Sequence, residues 1–576
     1  MSQSSSLSLS VLAISLLLQS GCTSNQSVSD KAASTHQTSQ PAQLEESVMQ
    51  DTAVSAAPVT RAFAAKDRPM MAEQHYGIFP SDYPVVEESR EQYASYSDNP
   101  VRRAAEFPVS TFSIDVDTGS YSNIRRFLNQ GSLPNEDAVR VEEMINYFSY
   151  QYPQPKNNTQ PFSISTEVGP TPWNSDTQLL HIGIQGVDVA ATQLPEANLV
   201  FLIDISGSMQ AKNKLPLLKS ALKMLAKQMD ETDKISLVVY AGETGIALKP
   251  TQGKDRRKIL RAINKLSASG STNGAAGIEL AYDMAEEGFI EGGINRVILA
   301  TDGDFNVGLA SVEALKKLIR EKRTSGVSLT TLGFGSGNYN DHLMEQLADE
   351  GNGNYAYIDT LNEARKVLVD ERASTLHTIA RDVKIQIEFN PEVVAEYRLL
   401  GYENRQLKRE DFNNDKVDAG DIGAGHTVTA LYEVTLKNSH GQRIEPLRYQ
   451  PTETQTKPAK HHQELALLRL RYKPAETEKS ELIEQTIDKN SIVKDIDKTS
   501  ENYRFSASVA AFGQTLRQGK YLQSFSMDDV LSLAQSARGK DESGYRAEFI
   551  QLLKLAQTLQ PLQAEKQQVS QLRNAL

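Results

Sequence analysis

A short run of oxygen-bearing side chains follows a strongly apolar segment near the middle of the chain. Leu199 to Ile203 has the pattern of a buried parallel strand, and Asp204, Ser206 and Ser208 alternate along the turn after it. Gly207 permits a tight turn there. The alternation places the three side chains on one side of the turn, beyond the carboxyl end of a strand, where open α/β sheets bind ligands. Hard oxygen donors without Cys or His favour Mg²⁺, Mn²⁺ or Ca²⁺ over Zn²⁺.

Two later stretches carry oxygen donors in equivalent positions. Thr272 lies in the Gly/Ser-rich loop 269–274, before a helical pattern over 275–287. Asp302 directly follows a second buried apolar strand, 297–301. Ser and Asp at such turns are also common helix N-caps, and an isolated D-x-S-x-S match would favour that interpretation. Three donor groups in this order, each at the end of the element that it should follow, favour a metal site instead.

Together these motifs resemble the metal-ion-dependent adhesion site of von Willebrand factor type A (VWA) domains, and the resemblance covers residues 198–376. It implies that the hydroxyls of Ser206, Ser208 and Thr272 bind the ion. Asp204 and Asp302 would then hold it directly or through water. Hydroxyls donate little charge, so a Mg²⁺ ion held this way stays electron-poor and favours an outside carboxylate at its open position. In VWA domains a protein partner supplies that Asp or Glu, so the resemblance implies binding and not cleavage.

A second acidic motif precedes the VWA-like region. Asp115-Val116-Asp117 ends an alternating strand pattern, as does the D-x-D-x-T/V motif of haloacid-dehalogenase-like phosphotransferases, whose first Asp is the nucleophile. Here the fifth position is Gly119, and the further Lys and acidic motifs of that family cannot be placed. The stretch is similar to the segment before the VWA domain in bacterial YfbK-type lipoproteins, and that similarity extends over residues 95–560. We therefore expect a structural or interface role for Asp115 and Asp117, with catalysis as the alternative.

Alternating strand and helix patterns across 198–376 predict the scaffold that positions the oxygen donors. This scaffold is a doubly wound, mostly parallel α/β sheet with the metal at its carboxyl edge. Strand patterns also occur within 162–189 and at 383–389, 428–436 and 465–472. Their order predicts one β domain that the VWA domain interrupts, followed by a helical tail over 503–562. The expected segments are a leader (1–22), a tether (23–92), an N-terminal α/β segment (93–160), a β segment (161–197), the VWA domain (198–376), a β-rich region (377–475) and a C-terminal helical region (476–576).

The first residues predict export and lipid attachment. Leu7 to Leu18 suits the apolar core of a signal peptide and is too short to span a membrane. Gln19-Ser20-Gly21-Cys22 resembles a bacterial lipobox, which implies that Cys22, the one cysteine of the chain, is lipidated. Gln19 replaces the usual Leu, and no Lys or Arg precedes the apolar core, so a plain cleaved signal peptide is the alternative. Thr23 after the cysteine, where Asp is absent, favours the outer membrane, and the Ser- and Gln-rich residues that follow indicate a disordered tether.

The 576 residues carry a net charge of −12, which argues against binding to nucleic acid. We expect a Mg²⁺-dependent protein-binding module that a lipid holds on the periplasmic face of the outer membrane of a Gram-negative bacterium. One alternative is a metal-dependent phosphohydrolase, or a subunit of an enzyme complex, that uses Asp115 or Asp204. Such sites usually need more carboxylate and a Lys or Arg clamp, and the loop around Asp204 contains neither. Another alternative is a VWA scaffold that needs no metal.

Overall fold

The computed structural model describes residues 90–575 except 157–159, 191–192, 272–273, 304–310, 446, 450–460 and 476, with side chains described as far as residue 560. The predictions for the leader, for Cys22 and for the tether up to residue 89 lie outside the described residues. None of the described helices is long and apolar enough to cross a lipid bilayer.

The secondary structure falls into four successive groups. The first contains β1 (Arg102–Arg103), β2 (Val109–Ser113), α1 (Gly119–Asn129), α2 (Val141–Asn146), β3 (Phe162–Thr171) and β4 (Asn174–Gly186). The second contains β5 (Ala197–Asp204), α3 (Leu215–Gln228), β6 (Lys234–Tyr240), β7 (Thr244–Gln252), α4 (Arg256–Lys265), α5 (Ala275–Glu287), β8 (Ile294–Thr301), α6 (Val312–Arg323), β9 (Ser328–Phe334), α7 (Asp341–Glu350), β10 (Tyr355–Ile358), α8 (Leu361–Arg365) and α9 (Arg372–Leu376). The third contains β11 (Thr378–Phe389), β12 (Val394–Leu400), β13 (Ile422–Gly423), β14 (Thr427–Leu436), β15 (Glu464–Pro474) and β16 (Glu481–Asp488). The last contains α10 (Glu501–Leu516), α11 (Met527–Ser536) and α12 (Tyr545–Ala575).

The second group forms the predicted doubly wound sheet. Its strand order is β10-β9-β8-β5-β6-β7, and every pairing is parallel except that of β6 with β7. All residues of β5 and β8 are buried, because α3, α4 and α8 cover one face of the sheet and α5, α6 and α7 cover the other. Since β5 and β8 are parallel neighbours, the residues that follow them meet at the same edge of the sheet.

Two elements of this domain are irregular. The edge strand β7 pairs with β6 along most of its length, with shifts in register. The helical segment 361–376 is divided by a π-helical turn at Lys366–Asp370. Within that turn the buried Lys366 pairs with Glu371 at 2.8 Å and lies over the ring of Tyr147.

The strands on either side of the VWA region form one β domain, as their order predicts. Its two antiparallel sheets have the strand orders β1-β12-β14-β4-β3 and β13-β11-β15-β16, with β2 also paired to β11. Strand β4 precedes the VWA region and pairs with β14, which follows it. Side chains from both sheets, including Phe112, Ile182, Ile385 and Leu468, share a single apolar core. The VWA domain is therefore inserted into the β domain.

The C-terminal helices pack against this domain and the early helices. Phe505, Val509 and Phe512 form a buried stripe along α10. The rings of Phe148 and Phe549 lie 4.9 and 5.6 Å from that of Phe505 in edge-to-face contacts. The expectation of a wholly helical region 476–576 is wrong at its start, because β16 occupies Glu481–Asp488 there. Most side chains of this edge strand are exposed, so the strand lacks a clear apolar alternation.

Candidate functional site

The carboxyl end of β5 holds Asp204 in a buried position. Its Oδ1 accepts a hydrogen bond from the backbone N–H of Ser206 at 2.8 Å. Its Oδ2 accepts hydrogen bonds from Thr301 Oγ1 at 3.0 Å and from the Tyr240 hydroxyl at 3.3 Å. Thr301 and Tyr240 end β8 and β6, the strands on either side of β5. Both neighbouring strands therefore fix the orientation of this carboxylate.

Two serine hydroxyls lie side by side in the turn that follows. The Oγ atoms of Ser206 and Ser208 are 3.0 Å apart. Ser206 is buried and Ser208 is exposed, so the pair lies between the buried carboxylate and the surface. Two hydroxyl oxygens this close together can contact one cation from the same side.

The loop that contains Thr272 is attached directly to this turn. The backbone N–H of Gly207 donates to the carbonyl oxygen of Gly270 at 3.0 Å, and the N–H of Ser269 donates to that of Ile205 at 2.7 Å. Thr272 itself lies outside the described residues. The backbone contacts place Ser269 and Gly270 beside the serine turn.

Asp302, the fourth described residue of the predicted set, is buried immediately after β8 and pairs with an unexpected lysine. Lys214 Nζ lies 2.8 Å from Asp302 Oδ2, and the lysine side chain is 9% exposed. The expectation that no basic side chain approaches the site is wrong. Gly335 makes this approach possible, because a Cβ at that position would collide with the Lys214 side chain. In sequence, Lys214 merely precedes a helix and resembles any solvated lysine.

Burial dominates the electrostatics of the site. It raises the pKa of Asp204, and the nearby negative charge of Asp302 raises it further. Hydrogen bonds from Ser206 and Thr301 act in the opposite direction. A cation bound close to Asp204 would favour the ionised form of this carboxyl group.

The donor set fits a hard divalent cation. Its described members offer only oxygen: the two serine hydroxyls and the carboxylates of Asp204 and Asp302. In the part of the chain that the structure describes, no group of three or more His, Cys, Asp or Glu is arranged to hold a metal. A cation at this edge would therefore depend on hydroxyls and water as well as carboxylates, which suits Mg²⁺ or Mn²⁺ better than Zn²⁺.

The acidic motif after β2 has a different environment. Arg405 pairs with Asp115 through Nε at 3.3 Å and with Asp117 through Nη2 at 3.2 Å. Asp117 Oδ1 also accepts a hydrogen bond from the backbone N–H of Tyr355, the first residue of β10, at 2.7 Å. Burial raises the pKa of Asp117, whereas Arg405 lowers it. Both carboxylates are thus engaged where the N-terminal segment meets the VWA sheet.

Comparisons with known families agree with this architecture. Residues 198–370 match the model described as von Willebrand factor type A domain, and residues 87–181 match one described as von Willebrand factor. Residues 374–559 match the model described as Uncharacterized protein YfbK, C-terminal. With the sheet order and the D-x-S-x-S turn after β5, these matches define a VWA-domain protein, a class that typically mediates protein interactions.

Individual relatives make the assignment more specific. The uncharacterized protein YfbK of Escherichia coli (strain K12) is 50% identical over 471 residues, which cover 81% of each chain. The chain belongs to the YfbK family of VWA proteins. Human inter-alpha-trypsin inhibitor heavy chain H3 is 27% identical over 261 residues, covering 42% of this chain and 28% of that protein. The structure of a von Willebrand factor type A protein from Catenulispora acidiphila aligns with a TM-score of 0.40 at 15% identity, covering 70% of this chain and 92% of that one.

Proposed function

We propose that this protein is a membrane-tethered binding module that captures a carboxylate of a protein partner through a Mg²⁺ ion. Asp204, Ser206, Ser208, Thr272 and Asp302 would hold the ion, directly or through water. The observation that carries the proposal is the serine pair, whose Oγ atoms lie 3.0 Å apart at the carboxyl edge of the VWA sheet. Behind this pair lies Asp204, which three hydrogen bonds hold in place.

The charges around the site support the capture of an anion. Lys214 offsets the charge of Asp302, and Ser206 and Ser208 are neutral donors. A bound Mg²⁺ ion would therefore receive little negative charge from the protein. Such an ion strongly favours an anionic ligand at its remaining position, and an Asp or Glu side chain of a partner supplies one.

Binding accounts for the described residues better than phosphate hydrolysis does. Asp115 and Asp117 are the strongest catalytic alternative, but both form ion pairs with Arg405. Asp117 also accepts a hydrogen bond from the backbone of β10. Lys214 could act as a phosphate clamp only by leaving its buried partner Asp302. We therefore assign a binding role to the edge of the VWA sheet, and no catalytic residue.

Attachment to the envelope completes the proposed function. A lipid on Cys22 would hold the chain on the periplasmic face of the outer membrane, with the residues that follow acting as a tether. Fractionation of cells tests this part: the wild type should be found with outer membranes, and the Cys22→Ser variant should be found in the soluble periplasm. Membrane association that Cys22→Ser leaves unchanged would contradict the lipid anchor.

Calorimetric titration of Mg²⁺ into the purified protein tests the metal site. The wild type should bind the ion, and the Asp204→Ala, Ser206→Ala double variant should not. Ser220→Ala is the matched control, because Ser220 is an exposed serine of α3 whose hydroxyl donates only to the Pro216 carbonyl oxygen. Equal binding by the wild type and the double variant would contradict the assignment of the site. Partner capture from envelope extracts should then require Mg²⁺ and be lost in EDTA.

A further inference from the structure

Buried arginines in the described part of the chain almost all have acceptors that match their charge. Arg125 pairs with Asp359, Glu363 and Glu548. The others with carboxylate partners are Arg126 with Glu91, Arg140 with Glu143 and Asp341, and Arg398 with Glu433. Arg546 lacks a carboxylate but donates to two carbonyl oxygens and an asparagine and lies over the ring of Phe505. These contacts follow the rule that a buried charge needs a partner.

Arg296 is the exception among these residues. It lies near the start of β8, is 2% exposed and makes one hydrogen bond, from Nη1 to Thr330 Oγ1 at 2.6 Å. Among the described residues, its Nε has no hydrogen-bond partner and no carboxylate forms an ion pair with its guanidinium, although the charge of Asp421 acts to raise its pKa. In Arg125, by contrast, Nε and Nη2 together hold both oxygens of Asp359. The corresponding edge of Arg296 lacks the acceptor that this geometry suits.

Arg296 is one of the residues that line a cavity of about 470 Å³. The cavity lies at the amino edge of the VWA sheet, the opposite edge from Asp204. Its walls come from the starts of β8 and β9 and from the β domain, and they include the segment Leu376 to Thr378, through which the chain leaves the VWA domain. Arg323 and Arg381 also line it, so three arginines border one space.

Of the two acidic side chains in the lining of the cavity, one forms an ion pair and the other is only partly ionised. Glu478 pairs with Arg381 at 2.9 Å, and Arg323 pairs with Asp418 outside the lining at 2.8 Å.

Asp421 lines the cavity and accepts a hydrogen bond from the backbone N–H of Asp382. Burial raises the pKa of Asp421 to about 7, so its carboxyl group is only partly ionised at neutral pH. Burial also lowers the pKa of Arg296, to about 10, which leaves it protonated at that pH. The cavity therefore contains a positive charge that is not fully matched.

We propose that this cavity is a binding site for a small oxyanion-bearing ligand, whose phosphate or carboxylate group accepts hydrogen bonds from Arg296. The planar guanidinium matches either group, and burial strengthens the interaction. A ligand there would contact the VWA domain and the β domain together. The site is separate from the proposed metal site and does not depend on it.

Calorimetric titration of the whole protein in a chloride buffer tests the proposal, with sodium phosphate in one arm and sodium succinate in the other. At least one anion should bind the wild type, and the arm that binds distinguishes a phosphate ligand from a carboxylate ligand. Arg296→Gln should weaken that binding by about tenfold or more, because it removes a charge-assisted hydrogen-bond donor. Arg320→Gln should leave it unchanged, since Arg320 carries the same charge on the exposed side of α6.

Asp421→Asn supplies a second, opposite variant. It removes the partial negative charge from the cavity while keeping the shape of the side chain, so the anion should bind more tightly than to the wild type. This variant remains informative if Arg296→Gln does not fold. Failure of both anions to bind the wild type would overturn the proposal, as would equal binding by Arg296→Gln or weaker binding by Asp421→Asn.

Discussion

Aspartates lie shortly after strand β2 and at the end of strand β5, and the surroundings of these aspartates differ. Arg405 and the backbone N–H of Tyr355 engage Asp115 and Asp117 after β2. Asp204 after β5 accepts neutral hydrogen bonds, and neutral serine hydroxyls lie between it and the surface. The first pair shares one internal cation, Arg405, with Glu345 and Asp349. The second set keeps oxygen donors together at an edge where a ligand can reach them.

The comparison shows that an acidic motif does not define its own role. In both places the strand pattern ends in aspartate, and in both places burial raises an aspartate pKa, at Asp117 and at Asp204. The difference comes from residues far away in sequence. Arg405 of the β domain pairs with Asp115, whereas the backbone of Ser269 and Gly270 contacts the serine turn. The first arrangement joins domains, whereas the second is the one where we propose that a cation binds.

Removing Arg405 should give the largest effect and the sharpest test of the comparison. Arg405→Met leaves Asp115, Asp117 and Glu345 buried without their shared cation, which should lower the free energy of unfolding by about 3–5 kcal/mol. Urea unfolding measures this. Arg320→Met, at an exposed ion pair, should cost less than about 1 kcal/mol. Equal stability of Arg405→Met and wild type would mean that the first pair is not structural, and the catalytic alternative at Asp115 would regain support.

The buried pair of Lys214 with Asp302 provides the second test of the comparison. Lys214→Met removes a positive charge that competes with the cation, so Mg²⁺ should bind at least about tenfold more tightly in calorimetry. Lys214→Arg keeps the charge and should leave the affinity near that of the wild type. Weaker Mg²⁺ binding by Lys214→Met would show that the lysine supports the metal instead of opposing it.

Sequence patterns predict where the oxygen donors lie but not which basic side chains pair with them. The D-x-S-x-S turn, the order of the later motifs and the parallel sheet follow from local patterns, because Asp204 and Asp302 each lie at the end of a buried apolar strand. The partners Arg405 and Lys214 do not follow from such patterns. Arg405 lies nearly 300 residues from Asp115 and reaches it only because the VWA domain is inserted into the β domain. The contact of Lys214 with Asp302 depends on the space above Gly335.

Ser208 should show the opposite behaviour to Arg405, with a change in binding and little change in stability. Ser208 is exposed, and its hydroxyl contacts only Ser206 among the described hydrogen bonds. Ser208→Ala should weaken Mg²⁺ binding by about tenfold, the loss of roughly one good ligand contact. Without Mg²⁺ its free energy of unfolding should stay within about 0.5 kcal/mol of the wild type. A large loss of stability with unchanged Mg²⁺ affinity would assign Ser208 to the fold and not to the site.

The smallest expected effect concerns pH and the cluster around Arg405. Glu345 in α7 accepts hydrogen bonds from Asn404 at 2.6 Å and from Arg405 at 3.3 Å, yet burial raises its pKa to about 8. Because the folded state keeps a proton that the unfolded chain loses near pH 4.5, this group stabilises the fold at low pH. That contribution is lost as the pH rises towards 8.

Glu345→Gln mimics the protonated side chain and should remove the loss. The stability of the wild type relative to Glu345→Gln should therefore fall by on the order of 1 kcal/mol between pH 7 and pH 8. Urea unfolding at several pH values measures the difference, and parallel curves for the two proteins would show that Arg405 keeps Glu345 ionised throughout. In that case the cluster would be a fully charged network, and its contrast with the neutral serine pair would be greater still.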